Sequence, residues 1–407
     1  MRKTEDSQNL SLFTKLILIF FVYIIVYFIS FAFTYPAPDG DSINYHIPIA
    51  KSFLDGTFID PEKINAVPFL KYSPGSSEGI LSIFLSFNIP MQLYNVTAVL
   101  FLFVVLYKVG RVFGLDRNLS LVFGVSVSTL PAMLRWINME IIDIWMAGFF
   151  AMSLLLLEKP RKSIKYFLTL GFAAGMLIGS KYSGPLFAVI LFLFYFRKII
   201  PYLNIKRIIS FLIPFSVFGL FWYIRNLYLT GNPLYPQPFL FFKGDRFPIL
   251  ETPVLETMLF TSGGIKNFVD AAFSEYSLWI VSFFVALYVV YKWLNKRKLS
   301  KATFVALIGL ANFIVYLFLP SDKYFHIFVS VVRYSFPAIV PLVLSTFLFA
   351  KEKSKEELVC LITFVTLLAS PIYQYHPKVL IIVLPIAFFI LFPDELQRFK
   401  IKISNKK

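Results

Sequence analysis

One cysteine and three histidines are all that 407 residues offer to disulfides and soft metals. Cys360 stands alone in an apolar stretch, which excludes a disulfide framework within the chain and a cysteine-based metal site. No Walker motif, GxGxxG fingerprint or HExxH helix occurs, so the enzyme classes built on them have no support. Charged residues make up only 15% of the chain. No polar stretch is long enough for a soluble domain, a disordered linker or a nucleotide-sugar domain, and no tandem repeat is present.

What the chain has is apolar surface. Hydrophobic residues are 58% of the total and the mean hydropathy is +0.72, against about 45–50% apolar in soluble domains. Long apolar runs recur from end to end. The expected fold class is therefore an all-α polytopic membrane protein, one integral-membrane domain over 1–407 with about 12 transmembrane helices. The spans are expected near 12–34, 90–109, 118–134, 138–157, 164–180, 184–197, 208–227, 276–293, 302–319, 333–350, 357–371 and 378–392. The 164–180 span is glycine-rich and weak. Segment 79–88 is apolar but too short to cross. The first run is too long for a signal-peptide core and lacks a small-residue cleavage site, which predicts a retained span.

The net charge of +16 does not point to nucleic acid, because the charges alternate with the spans. Most Lys and Arg fall in the N-terminal segment to Lys15 and in 108–117, 159–165, 197–207, 292–301, 351–355 and 398–407. By the positive-inside rule these segments are cytoplasmic, so both termini are expected in the cytoplasm and the protein in the plasma membrane. The runs at 159–165 and 292–301 read as topology signals beside anionic lipid. Two long outer loops remain, the first extracytoplasmic loop at 35–78 and the second at 228–275. Polar material gathered on one face marks the extracytoplasmic side as the working surface.

The first loop opens with DGDSINYH, residues 39–46. Asp41 or Ser42 can cap a short helix, and Ile43, Ile47, Ala50 and Leu54 recur at helical spacing, with Gly56 as a stop signal. This predicts an amphipathic interfacial helix. Asp41 is then either a cap alone or a catalytic base at the membrane surface. Asp39, Tyr45 and His46 stand beside it as supporting residues. Further on, Tyr72 and the Pro74-Gly75 bend bring the chain back, and Lys71 and Glu78 read either as a solvated pair or as part of the site.

Asp143, in RWINMEIIDIWMAGFF, lies inside an apolar helix, where an ionisable group is costly and a functional candidate. Its plainer reading is a structural pair with Arg135 or Lys181. Lys181 and Tyr182, in GSKYSGPLF, sit on an irregular backbone tolerated only beside protein or a wet cavity. Lys181 either snorkels to headgroups or binds a phosphate. Arg225, Lys323 and Arg333 are the other candidate phosphate ligands, arginine for its bidentate fork. His46, His326 and His376 all fall on the outer side. With Asp41 or Asp143 they can ligate a divalent metal, although their spacing matches no metal pattern.

Taken in order, these segments resemble the GT-C superfamily of polyprenyl-phosphate-dependent glycosyltransferases, which includes protein O-mannosyltransferases and lipid A aminoarabinose transferases. The resemblance rests on Asp41 four residues before Tyr45 directly after the first span, and on KYSPGSSEGIL for the family's Tyr-Pro-Pro-Gly stretch. It rests also on Asp143 as the second acidic position, on RNLYLTGNPLYP and on RYSFPAIVP. GSKYSGP resembles the family's Lys-Gly-Pro segment with Tyr182 and Ser183 inserted. The likeness covers most of residues 1–345. It departs where some members carry an Asp-Glu pair and this chain has Asp41-Ser42, so the second role falls to Asp39 or another carboxylate.

The resemblance implies transfer of a sugar from a polyprenyl-phosphate donor to an acceptor hydroxyl on a lipid, glycan or protein, with inversion at the anomeric carbon. Asp41 is then the base, Lys181, Arg333 and Arg225 steady the departing phosphate, and Asp143 orients the acceptor, a lysine or a divalent ion. The partners expected are the donor, the acceptor and membrane lipids, with no nucleic acid. The competing readings are a transporter or lipid flippase, with Asp143 and Lys181 lining a pathway, and an inactive scaffold.

Overall fold

The computed structural model describes residues 10–34, 40–245, 252–297, 299–321 and 330–368. Helices dominate, and the one sheet among the described residues is an antiparallel pairing of Thr252–Pro253 with Pro320–Ser321. Helix α1 (Leu12–Thr34) is the first span as expected. A π-helical turn, Ser42–His46, leads into α2 (Ile47–Asp55), and α3 (Ser76–Ser86) closes the first loop. There follow α4 (Leu93–Phe113), α5 (Arg117–Ser128), the single turn α6 (Pro131–Leu134), α7 (Asp143–Glu158), α8 (Ile164–Ser180) and α9 (Gly184–Ile199). Helices α10 (Ile205–Phe215) and α11 (Phe221–Thr230) are joined by a π-helical turn. The remainder comprises α12 (Val254–Phe260), α13 (Gly264–Tyr276), α14 (Val281–Lys296), α15 (Lys301–Leu317), α16 (Phe336–Glu352) and α17 (Glu356–Leu368).

Among the described residues six helical runs are long and apolar enough to cross a membrane, and Ile164–Ser180 and Lys301–Leu317 are shorter apolar helices. The 208–227 span is part of one 26-residue run, Ile205–Thr230, and the 276–293 span extends back to Gly264. The 228–275 segment holds α12 and α13, and the chain breaks at Ser277 (φ 51°, ψ −136°) before a 3₁₀ turn leads into α14. The expected span at 378–392 lies outside the described residues.

Two departures have clear physical causes. On α2 the buried side chains are Ile47, Ile49, Ala50 and Ser52, while Ile43 and Leu54 are exposed. The π-helical turn adds a residue to the preceding turn, so Ile43 rotates off the expected stripe. Helix α8 looked weak because its glycines are its packing face. A Cβ at Gly171 would lie 2.1 Å from the Phe211 carbonyl oxygen, and one at Gly179 would lie 1.9 Å from that of Phe218. With Gly175 between them they form a small-residue stripe that lets α8 meet the α10–α11 run backbone to backbone.

The centre of the bundle is α7 and α16, the latter 89% buried over its most apolar stretch. Large side chains such as Trp279, Tyr94, Phe150 and Phe347 fill it. Helices α7 and α8 are 16 and 17 residues long, hence about 24–26 Å from end to end. Asp143 starts the one and Lys181 follows the other, so both residues come to the same end of the bundle.

Candidate active site

At that end lies a cavity of about 490 Å³. Asp41, Tyr45, His46, Asp143, Lys181 and Arg333 all line it, although Asp41 and Arg333 are 292 residues apart. Helix α8 stops at Ser180 and the backbone at Lys181 is extended (φ −159°, ψ 151°), which turns the lysine away from the helix axis. The Lys181 ammonium donates to Asp143 Oδ1 at 2.8 Å and lies over the Tyr334 ring, 3.6 Å from its centroid. A 3₁₀ turn, Val332–Ser335, carries Arg333 in from the start of α16.

Arg333 is the hub. Its Nη2 donates to Asp41 Oδ2 at 2.9 Å. Its Nε lies 3.4 Å from Asp143 Oδ2, within ion-pair reach but too poorly aligned for a hydrogen bond. The guanidinium also packs on the Trp136 ring at 4.7 Å. Nη1 is buried with no hydrogen-bond partner among the described residues.

The cap-only reading of Asp41 is not what the geometry holds. Asp41 precedes the π-helical turn but makes no side-chain capping bond, and its carboxylate reaches Arg333 instead. Asp41 is half-exposed at 47%, whereas Asp143 is 2% exposed. Burial by itself would raise the Asp41 carboxyl. The charge and hydrogen bond of Arg333, with His46 and Lys181 beyond it, outweigh that and hold it below the ordinary carboxylate value. Tyr45, stacked on His46 with ring centroids 3.7 Å apart, is pushed well up by burial and then by Glu78, Asp41 and Asp143, so it remains a neutral phenol.

His46 donates or accepts through Nδ1 with Glu78 Oε1 at 2.9 Å, and both side chains are buried. Glu78 is therefore a support behind the cavity wall rather than the solvated partner of Lys71. Lys71 pairs with Glu62, and the Tyr72 hydroxyl donates to the same carboxylate. Arg135 turns away from Asp143 and forms a forked pair with buried Glu275. Of the two partners weighed for Asp143, Lys181 is the one it meets. Ser42 accepts from the Glu140 amide at 3.0 Å and so ties the first loop to the α6–α7 turn.

Arg225 is a correction. It does not line the cavity, and its guanidinium donates to the Phe58 and Tyr72 carbonyls at 2.9 Å and to Asn226 Oδ1. Asn226 donates to the Tyr72 carbonyl and to the Tyr182 hydroxyl, and the single Tyr182 O–H lies between the Tyr72 and Tyr235 carbonyls. Arg225, Tyr72 and Tyr182 thus pin the first loop to α11 and the turn after it. Tyr182 also lines the cavity and Tyr72 does not. Asp39, Lys323, His326 and His376 lie outside the described residues.

No group of three or more His, Cys, Asp or Glu side chains is gathered among the described residues. Asp41 and Asp143 each already face a cation, so this donor set does not fit a divalent ion without displacing Arg333 or Lys181. Sequence reading missed Trp136 and Tyr334 as the aromatic walls under the two cations. Their adjacency to Arg135 and Arg333 was visible, but which cation each would face depended on the fold.

No protein-family model matches the sequence and no curated protein matches it significantly. Solved structures do. The fold is similar to that of ArnT from Cupriavidus metallidurans in the apo state, with a TM-score of 0.57 at 14% identity over 84% of this chain. It is also similar to ArnT from the same organism bound to undecaprenyl phosphate, with a TM-score of 0.58 at 14% identity over 88% of this chain. The chain spans 62% and 65% of the length of those two ArnT chains. The chain therefore has a polytopic all-α fold similar to that of ArnT.

Proposed function

We propose that the protein is a membrane glycosyltransferase that moves a sugar from a polyprenyl-phosphate donor to an acceptor hydroxyl on the extracytoplasmic face. The observation that carries this reading is the meeting of Asp41, Asp143, Lys181 and Arg333 around one cavity. Its setting is a fold shared with a protein solved bound to undecaprenyl phosphate.

In the proposed reaction the donor phosphate sits against Arg333 and Lys181. The acceptor oxygen attacks the anomeric carbon, the carbon–oxygen bond to phosphate breaks, and the phosphate leaves with the electron pair. Asp41 takes the hydroxyl proton. The two cations meet the charge that grows on the leaving oxygen, where fixed dipoles and charges act most strongly. Asp143 is a positioning residue that holds Lys181, with Arg333 beside it. Arg333 has a double task, since the phosphate and Asp41 compete for it. Donor binding draws charge away from the Asp41 contact and makes that carboxylate a better base than it is in the empty cavity.

The test is purified protein in lipid with a panel of radiolabelled polyprenyl-phosphate sugars, comparing wild type with Asp41→Asn. Both should bind a donor, and only the wild type should release sugar to water or acceptor. Full transfer by a folded Asp41→Asn protein would remove Asp41 from the base role. A folded wild type that binds no donor would favour the transport reading.

A further inference from the structure

At the opposite end of α4, α7 and α8 from the charged cavity lies a second groove, about 460 Å³ in volume. Lys108 and Arg111 from α4, Lys159 after α7, and Arg161 and Lys165 around the start of α8 converge on it, and no carboxylate lines it. Its apolar floor is Val112, Leu155 and Leu156, all partly exposed. We propose that this groove holds the phosphate-bearing headgroup of an anionic phospholipid in the leaflet opposite the cavity, with an acyl chain along the apolar floor.

Three observations carry the proposal. The first is depth. Helices α7 and α8 span about 24–26 Å between the two sites, close to the hydrocarbon thickness of a bilayer. If one end lies at one headgroup layer, the groove lies at the other. The second is charge. Two helix C-termini bring about half a negative charge each and the α8 N-terminus about half a positive one. Five side-chain cations exceed that several-fold, so compensation of helix dipoles does not account for them. The third is shape. A topology signal needs only basic residues in a loop, but here three helix ends present them to one groove beside a partly exposed apolar strip. A soluble phosphate would use the cations and leave that strip unused, whereas a lipid uses both, as basic pockets between membrane helices do.

A comparison within the protein sharpens the test. Another groove, at the ends of α14 and α16, carries Lys292, Lys296 and Lys353 but also Glu352. The full-length protein in detergent is offered an equimolar mixture of phosphatidylglycerol and phosphatidylcholine, and bound lipid is counted by native mass spectrometry. Wild type should retain phosphatidylglycerol preferentially. Lys159→Gln/Arg161→Gln/Lys165→Gln should lower that retention at least about tenfold, and Arg161→Gln alone about fivefold. Lys292→Gln/Lys296→Gln/Lys353→Gln should leave it within about twofold. Equal loss in both triple variants would overturn the proposal, because general surface charge would then be the cause. Displacement of the lipid by an equal concentration of inorganic phosphate would also overturn it. The single variant keeps the test open should the triple variant fail to fold.

Discussion

Removing the Asp143 charge is the most direct probe of the cavity's ion network. Asp143→Asn keeps the shape and deletes the charge that Lys181 meets at 2.8 Å and Arg333 faces at 3.4 Å. Stripping one member from a buried ion pair costs about 3–5 kcal/mol when the other is left uncompensated. Two features lower that figure here. The Lys181 side chain is 24% exposed and can regain water, and it keeps the Tyr334 ring, worth about 1 kcal/mol. Arg333 keeps Asp41. The expected loss is about 2–3 kcal/mol. Lys181→Met should cost about 2 kcal/mol, because the 2%-exposed carboxylate is left with only the misaligned Arg333 contact. The double variant removes both charges together, so it should be less destabilised than the two singles added, with a coupling of about 2 kcal/mol. Reversible unfolding in mixed micelles of rising SDS fraction measures all four proteins. Additivity within about 0.5 kcal/mol would refute the reasoning, since the two side chains would then not stabilise one another.

Two further outcomes follow from the site. Arg225→Lys should destabilise the fold by about 2–4 kcal/mol, because a lysine cannot serve the Phe58 and Tyr72 carbonyls and Asn226 at once; donor affinity per folded molecule should not change, and thermal unfolding with a donor titration checks both. Asp41 is held below its ordinary value by Arg333, so its contribution to stability is full above the unfolded carboxylate range and is lost as pH falls through the lower folded value. The melting-temperature advantage of wild type over Asp41→Asn should therefore be constant near pH 6 and shrink below about pH 4, and an advantage that grows on acidification would contradict the Asp41–Arg333 contact.

The helices were largely legible because a bilayer demands long apolar runs, and runs leave a strong sequence signal. Helix α8 was the weak case for a reason hydropathy cannot express. Gly171, Gly175 and Gly179 read as poor helix material one at a time, and become a close-contact face only when α10 is known to lie against them. Asp41, Asp143, Lys181 and Arg333 were each conspicuous as charges at the ends of apolar stretches. Their pairing was not, since Asp41 and Arg333 come from opposite ends of the chain. Arg225 shows the limit from the other side. In sequence it looks like Arg333, an arginine at the end of a span. Only the fold shows that one guanidinium is spent on backbone carbonyls and the other lines a cavity and meets Asp41.

The contact of Arg333 with the proposed base has a consequence for the proposed chemistry. Asp41, Asp143, Lys181 and Arg333 sum to zero charge when all are ionised. A sugar linked to a polyprenyl phosphate carries one negative charge on its phosphodiester, and the departing monoester carries about −1.5 to −2. During transfer the phosphate therefore gains roughly the charge that Asp41 loses on taking the hydroxyl proton. The total in the cavity stays nearly constant while negative charge shifts from one neighbour of Arg333 to the other. A guanidinium has several N–H groups in a fixed fork, so on the proposed reaction it can keep Nη2 on Asp41, meet the phosphate with another, and follow that shift without moving. A lysine ammonium at the same place is a point charge that would have to choose. Arg333→Lys should on this argument retain part of the donor affinity and lose turnover disproportionately, because the interaction removed is one that strengthens only as charge crosses from base to leaving group. Equal losses in affinity and turnover would mean that Arg333 merely holds the donor.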